Sequence, residues 1–204
     1  MDEWKIKDEL KPKGIKGISD QQIEYHFETH YKGYVKKLNE IWQKLASSDR
    51  GAANQNYSDF RALKLEETFN YDGSLLHELY FANISSTSNQ IPSTIKKAIE
   101  KDFGSYENWL ADFKAVGTAF RGWALTIFDL NTGKIRNIGC DVHNSNGIWN
   151  AIVLLAMDVY EHAYYTDYGP KRAPYIDSFI SAINWNEVER RFIAAKKAYE
   201  ALGE

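Results

Sequence analysis

The chain has 204 residues, 44% of them hydrophobic and 14% aromatic, which is enough apolar material for the core of one large domain or two small ones. No segment approaches the roughly 20 apolar residues that a membrane span requires, and the net charge of −3 comes from intermixed acidic and basic residues that form no basic stripe. We therefore expect a soluble globular protein that binds neither membranes nor nucleic acid.

The N-terminal residues and the cysteine content bear on the cellular compartment. Residues 1–9 alternate in charge and lack the apolar core and cleavage site of a secretory signal, so we expect a cytoplasmic protein. Cys140 is the single cysteine, which excludes an intrachain disulfide and any metal site built from several thiolates. A metal site in this chain would therefore use nitrogen and oxygen ligands.

The first half of the chain has the periodicity of two helices. Ser19 followed by Gln22 predicts a capping box at the start of the first helix, and residues 47–57 have the polar composition of a loop. A second helical region is expected over residues 60–84, with an interruption near Asp72-Gly73. The apolar residues of the first helix recur every three to four positions: Ile23, Phe27, Tyr31, Tyr34, Val35, Leu38, Ile41, Trp42 and Leu45.

These two segments predict a long antiparallel α-helical hairpin as an N-terminal domain of residues 1–90. His26 lies on the first arm and His77 on the second, so the opposed arms can bring the two imidazoles together. Residues 85–90 have the composition of an interdomain connection, and we expect the domain boundary near residue 90.

The second half, residues 91–204, changes its period and is predicted to be an α/β domain. It begins with two helices and continues with three β-rich runs, the first two joined by the hairpin signal Asn131-Thr132-Gly133. Two further helices follow. The predicted helices cover residues 93–102, 106–120, 174–183 and 187–202, and the predicted strands cover residues 123–129, 134–140 and 152–157.

Asp158 and His162 are the first candidate metal ligands. Asp158 is predicted at the end of the third strand, with His162 in the turn or short helix that follows. A carboxylate at the end of a rigid strand is well placed to hold a metal, and a nearby imidazole can complete one edge of the coordination shell. The alternative is that Asp158 caps a helix and His162 donates to a backbone carbonyl.

His26 and His30 are four residues apart, so they face the same side of the first helix. The H-E-x-x-H pattern of zinc metallohydrolases is absent, because Phe27 follows His26, and because His77-Glu78 is followed by Phe81 where a second histidine would be needed. For a histidine among aromatic residues on a helix, a core position with satisfied hydrogen bonds is the alternative interpretation.

Two motifs resemble those of the iron/manganese superoxide dismutases. The run Asp158-Val159-Tyr160-Glu161-His162-Ala163-Tyr164-Tyr165 resembles the family signature D-x-[WF]-E-H-A-Y-Y, and the run from Ile23 to Val35 resembles the helix that carries the first ligand. The resemblance extends from about Gly17 to Phe192. It implies an α+β fold in which a helical hairpin is followed by an α/β domain with a three-stranded antiparallel sheet, in agreement with the periodicity.

The resemblance also implies a function, dismutation of superoxide as an antioxidant enzyme, with one iron or manganese ion per subunit and a solvent molecule as fifth ligand. It implies that His30 and Tyr34 lie at the substrate entrance and that Trp123 lies against the metal pocket. The four protein ligands implied in this way are His26, His77, Asp158 and His162.

A homodimer is implied as well. In the family, the glutamate at Glu161 reaches the partner's His162, and the tyrosine at Tyr165 pairs with the partner's His30. Such a contact is of the isologous kind, in which both subunits use the same surface.

The chain departs from the family at the glutamine that hydrogen-bonds the metal-bound solvent. One of its two possible locations is Gly73 here, and the other falls at His143. We expect His143 to replace the glutamine, with a histidine in a surface loop as the alternative. Because such a donor influences the reduction potential of the metal, the replacement leaves the choice between iron and manganese open.

Two other classes of function remain as alternatives. The first is a zinc hydrolase that uses the same four side chains, for which Glu161 is the one candidate general base. The second is a scaffold that keeps the fold for partner binding without catalysis.

Overall fold

The computed structural model describes residues 3–87 and 90–203, and its first half is a helical hairpin. After a short 3-10 turn at Asp8–Leu10, the first arm consists of three consecutive stretches and the second arm is one long helix. The first arm contains α1 (Asp20–Tyr25), a π-helical stretch (His26–Tyr31) and α2 (Lys32–Ser47), and the second arm is α3 (Asp59–Ala82).

The arms pack through the apolar stripe that the periodicity predicts. In α2 the buried residues Val35, Leu38, Ile41 and Leu45 follow the spacing of one helical face. At the start of α1, the Ser19 hydroxyl accepts a hydrogen bond from the Gln22 backbone N–H, 3.0 Å away. The reciprocal bond of the predicted capping box, from the Gln22 side chain back to Ser19, is wrong. The Gln22 side chain instead forms hydrogen bonds with the second half of the chain.

The predicted interruption at Asp72-Gly73 is wrong, because α3 is continuous through both residues. Gly73 is buried, and a Cβ atom there would lie 3.0 Å from the Tyr34 ring. The glycine therefore permits close packing of the two arms and does not end the helix. Asp72 is half-buried in the same turn, and this burial raises its pKa to about 6.

The second half is an α/β domain with a three-stranded antiparallel sheet, in which β1 (Trp123–Asp129) lies between β2 (Lys134–Cys140) and β3 (Ala151–Asp158). The central strand β1 is buried along its whole length, as expected for a strand that is paired on both edges and covered by helices. The helices of the second half are α4 (Ser93–Phe103), α5 (Tyr106–Ala119), α6 (Tyr165–Tyr168), α7 (Arg172–Ser181) and α8 (Trp185–Leu202).

Apart from the interruption within α3, the sequence predicted this fold class and architecture correctly, with small errors at the ends of the elements. The turn at residues 131–133 joins β1 to β2, whose limits match the predicted strands. The third strand is one residue longer at each end than predicted and ends at Asp158. Both C-terminal helices begin two residues earlier than predicted.

The two halves are joined by hydrogen bonds at the end of α3. The buried Asn83 side chain donates to the Leu154 carbonyl and accepts from the Ala156 backbone N–H, which fixes α3 against β3. Ile84 forms an isolated β-bridge with Ile183. The domain boundary near residue 90 stays a prediction, and Ser88 and Asn89 of the expected connection lie outside the described residues. No helix in the described ranges combines the length and the hydropathy needed to cross a membrane.

Candidate metal centre

Four side chains from both halves of the chain meet in one buried cluster. Its members are His26, His77, Asp158 and His162, each of which offers one ligand atom, and these atoms lie within 4.8 Å of one another. The Nε2 atoms of His26 and His162 lie 3.1 Å from the Asp158 Oδ2, and the Nε2 of His77 lies 3.5 Å from it. Three imidazole nitrogens therefore converge on one carboxylate oxygen.

Each of these residues is placed by a different element. Asp158 ends β3, and His162 lies in the 3-10 turn Glu161–Ala163 that follows. His77 lies in the buried part of α3. His26 opens the π-helical stretch, which the periodicity did not predict, because one extra residue in a turn barely alters the apolar spacing. Such stretches are rare and are frequent at functional sites.

Asp158 is held by one hydrogen bond to its side chain and one to its backbone. Its Oδ1 accepts a hydrogen bond from the Tyr160 backbone N–H at 2.9 Å, and its backbone carbonyl accepts one from the Tyr175 hydroxyl at 2.6 Å. The local bond to Tyr160 is the kind that the capping alternative predicts, but no α-helix follows it directly. The second oxygen, Oδ2, faces the three imidazoles.

The donor set fits a bound metal cation. His77 Nδ1 lies 2.6 Å from the Gly73 carbonyl oxygen, so this nitrogen carries the hydrogen and donates it, and Nε2 keeps its lone pair. That buried Nε2 has no hydrogen-bond partner among the described residues and faces a carboxylate oxygen. Two lone pairs opposed in this way repel each other, whereas a cation bound to both would satisfy them.

The protonation states also suit metal binding, which needs neutral imidazoles and an ionised carboxylate. Burial holds the pKa of His77 well below its ordinary value. Burial alone would raise the pKa of Asp158, but the His162 and His26 imidazoles hold it well below the ordinary value. At neutral pH the Asp158 carboxylate is therefore ionised, and the imidazoles of His26 and His77 are neutral.

His143 lies beside the cluster and not in an exposed loop position. It is 4% exposed, and its ring centroid is 4.6 Å from that of Tyr34 and 5.9 Å from that of His77. The Trp123 indole N–H donates to His143 Nδ1 at 2.9 Å. Since an indole nitrogen only donates, His143 Nε2 must carry the ring hydrogen, and this buried atom has no partner among the described residues.

Gly73 and His143 share one space. Besides its close approach to Tyr34, a Cβ atom at Gly73 would lie 3.4 Å from the Cδ2 of His143. A side chain at position 73 would therefore touch the imidazole of His143 from its first carbon onward, so a glutamine there would share the space that His143 occupies.

The other two predicted site residues, Tyr34 and His30, also lie against the cluster. The Tyr34 ring centroid is 5.2 Å from that of His77, and burial together with the charge of Asp158 raises the pKa of Tyr34 to about 12. The His30 ring stacks on His162 with centroids 4.0 Å apart, and burial lowers the pKa of His30 to about 4. The structure thus brings all seven predicted site residues together.

Gln22 belongs to the site, and the sequence reasoning assigned it only to a helix cap. Its side chain is buried, donates from Nε2 to the His162 carbonyl at 2.6 Å, and accepts from the Thr166 backbone N–H at 3.1 Å. Gln22 therefore attaches the turn that contains His162 to the first arm of the hairpin. A glutamine in the first turn of a helix gives no signal of such a long-range contact.

The fold and the cluster define a mononuclear metal protein built from a helical hairpin and an α/β domain, and comparisons with known proteins identify the family. Two family models match the chain: "Iron/manganese superoxide dismutases, alpha-hairpin domain" over residues 6–85 and "Iron/manganese superoxide dismutases, C-terminal domain" over residues 91–191. The chain belongs to the iron/manganese superoxide dismutase family, as its motifs indicated.

Its relatives include proteins named for either metal. "Superoxide dismutase [Fe]" of Aquifex aeolicus is 52% identical over 200 residues, which cover 96% of this chain and 94% of the relative. "Superoxide dismutase [Mn] 1" of Halobacterium salinarum is 37% identical over 184 residues, which cover 90% of each chain. The chain is thus similar both to a dismutase named for iron and to one named for manganese.

Removal of one predicted ligand provides a direct test of the cluster. We expect His162→Ala to lose the bound metal, because only three of the four donors remain and the vacated volume admits water. His30→Ala is the matched control, since His30 stacks on His162 and is the same residue type but is not one of the four donors. Metal content per subunit is measured on purified protein by elemental analysis. Full occupancy in His162→Ala would contradict the ligand assignment.

Proposed function

We propose that this chain is a superoxide dismutase, which converts two superoxide anions and two protons to dioxygen and hydrogen peroxide. The observation that carries the proposal is the convergence of three imidazole nitrogens on one buried carboxylate oxygen in a member of this family. His26, His77, Asp158 and His162 would hold one iron or manganese ion per subunit, which three imidazoles and a carboxylate suit. When bound, this ion supplies one-electron redox chemistry in both directions, which zinc lacks.

The reaction consumes two protons, and we assign their delivery to Tyr34 and His30. With its pKa raised to about 12, the Tyr34 phenol keeps its proton at neutral pH and holds it beside the cluster. The half-buried His30 is neutral at this pH and lies between solvent and His162, so its ring nitrogens can exchange a proton with water. The two side chains would form a short relay into a pocket that is otherwise lined by aromatic rings.

We assign His143 the role that a glutamine has in the family. Burial lowers its pKa to about 4, so the ring is neutral, and the bond from Trp123 leaves the hydrogen on Nε2. This unpaired buried donor is available to a solvent molecule in the site. An imidazole donor in place of an amide would alter the basicity of that solvent and, through it, the reduction potential of the metal.

Metal analysis combined with an activity assay tests the proposed function. We expect the purified protein to contain iron or manganese and to consume superoxide, and we expect the activity to disappear when the metal is removed and to return when it is restored. Zinc without superoxide consumption would favour the hydrolase, and an empty site would favour the scaffold. Either result contradicts the proposal.

Substitution of Tyr34 tests the proton relay. We expect Tyr34→Phe to slow turnover several-fold, less than the roughly 100-fold or larger loss typical of a sole general acid, because His30 offers a second route. Metal content should not change, since Tyr34 is not a ligand. Tyr57→Phe is the control, because Tyr57 is 73% exposed and lies in the hairpin loop. Equal turnover of the Tyr34 and Tyr57 variants at saturating superoxide would contradict the role of Tyr34.

We further propose a homodimer formed around the His162 turn. Glu161 and Tyr165 are exposed there, and the Glu161 carboxylate forms no hydrogen bond or ion pair within residues 3–87 and 90–203. The His162 side chain is 16% exposed, so a carboxylate from a second copy can reach its free ring nitrogen. Such a contact would orient the imidazole, as carboxylates do at many metal-bound histidines. Sedimentation of the metal-loaded protein as a monomer would contradict the dimer.

We also propose that the enzyme acts in the cytoplasm as an antioxidant. Its one cysteine, Cys140, is buried and free, and free thiols are typical of proteins from reducing compartments. Fractionation of cells that produce the protein, followed by immunodetection, tests the location, and recovery outside the cytoplasm would contradict it.

A further inference from the structure

A second buried carboxylate, that of Glu78, directly follows His77 in α3. Glu78 is 4% exposed and accepts hydrogen bonds from three side chains. Its Oε1 accepts from the Trp4 indole N–H at 2.7 Å and from the Tyr31 hydroxyl at 3.0 Å, and its Oε2 accepts from the Lys7 ammonium at 2.5 Å. These three donors, one of them an ammonium group, hold the buried carboxylate in one position.

Two of these donors belong to the N-terminal segment, residues 3–10, which the hydrogen bonds of Glu78 hold on the hairpin. Two hydrogen bonds join the Trp4 backbone to the Asn39 side chain. The Trp4 N–H donates to the Asn39 amide oxygen at 2.8 Å, and the Asn39 amide nitrogen donates to the Trp4 carbonyl at 2.9 Å. The Trp4 ring packs edge-on against Tyr71 with centroids 4.8 Å apart. The segment is therefore attached to both arms of the hairpin.

The third donor, Tyr31, is the last residue of the π-helical stretch that His26 opens. Tyr31 is fully buried, and its hydroxyl also accepts the Lys7 backbone N–H at 3.0 Å. A π-helical turn is intrinsically rare, so contacts outside the helix must hold it. Glu78, through Tyr31, provides such a contact at the end of the stretch opposite His26.

We propose that Glu78 is a positioning residue for the metal centre: it ties the π-helical stretch and the N-terminal segment to α3, and so keeps His26 in register with the adjacent ligand His77. The inference rests on the metal site of the proposed function. The two ligand rings lie with centroids 4.9 Å apart, so a relaxed π-helical stretch would move His26 out of the cluster. Glu78 itself contacts neither metal nor substrate.

The chain contains a matched control in the same helix. Glu67 also accepts an indole N–H, from Trp42 at 3.0 Å, and pairs with a lysine, Lys64. It lies about three turns earlier in α3, and neither the N-terminal segment nor the π-helical stretch is among its hydrogen-bond partners. Comparing Glu78→Gln with Glu67→Gln therefore separates the loss of a Glu–Trp–Lys cluster from the loss of ligand positioning.

The experiment measures the dissociation constant for manganese(II) by competition with a chelator, together with the thermal midpoint of the metal-free proteins. We expect Glu78→Gln to bind manganese(II) roughly 10- to 100-fold more weakly, as is typical when a residue that orients a ligand is changed. The manganese(II) dissociation constant of Glu67→Gln should stay within about twofold of the wild-type value, since this substitution leaves the positions of the metal ligands unchanged. Trp4→Phe, which retains the carboxylate and removes one donor, should show an intermediate weakening.

Equal manganese affinity of the Glu78 and Glu67 variants, with similar losses in thermal midpoint, would show that Glu78 only stabilises the fold and would overturn the proposal. If Glu78→Gln does not fold, Trp4→Phe decides, and wild-type affinity in that variant overturns it as well. Failure of the proposed function is seen separately, because the wild-type protein loaded with iron or manganese would then not consume superoxide.

Discussion

The structure depends on the buried charge of Asp158. A carboxylate that is completely removed from water costs several kcal/mol unless cations or hydrogen-bond donors surround it. Here one oxygen is satisfied locally by the Tyr160 backbone, while the other faces three imidazoles, two of them from the hairpin, with which it could hold a cation. A cation that balances the charge of Asp158 can therefore be held only when the hairpin is docked on the sheet. Folding of the two halves against each other and assembly of the cluster are therefore one process, and a bound cation stabilises both.

The resemblance and the periodicity together predicted most of the fold and the composition of the site. The strand limits were predicted well, because β-rich runs between turn residues give a strong local signal. The Asp158–His162 motif could be recognised because its residues are adjacent in sequence. The error at Asp72-Gly73 arose because a glycine in a helical pattern ordinarily signals an end, whereas here it allows an aromatic ring to approach the helix.

What the sequence did not reveal are the contacts between distant segments. The π-helical stretch adds one residue to a turn, too little to alter the apolar period. The side-chain partners of Gln22 lie 140 and 144 residues away in the chain, and those of Glu78 lie 47, 71 and 74 residues away. Polar side chains in amphipathic helices are ordinarily solvated, so their burial depends on which surface the helix meets, and this is known only from the tertiary structure.

The shared space of Gly73 and His143 has a consequence for how such a site can change over time. The two residues lie in different halves of the chain, yet a side chain at position 73 requires the Tyr34 ring or the His143 imidazole to move. A substitution at one position therefore has an effect that depends on the residue at the other, as expected for groups in contact. Under the proposed role of His143, a lineage that moves the solvent donor from one half to the other would pass through a chain with a crowded pocket or through one with no donor. The order of two substitutions, and not only their identity, then determines which metal chemistries are accessible to this scaffold.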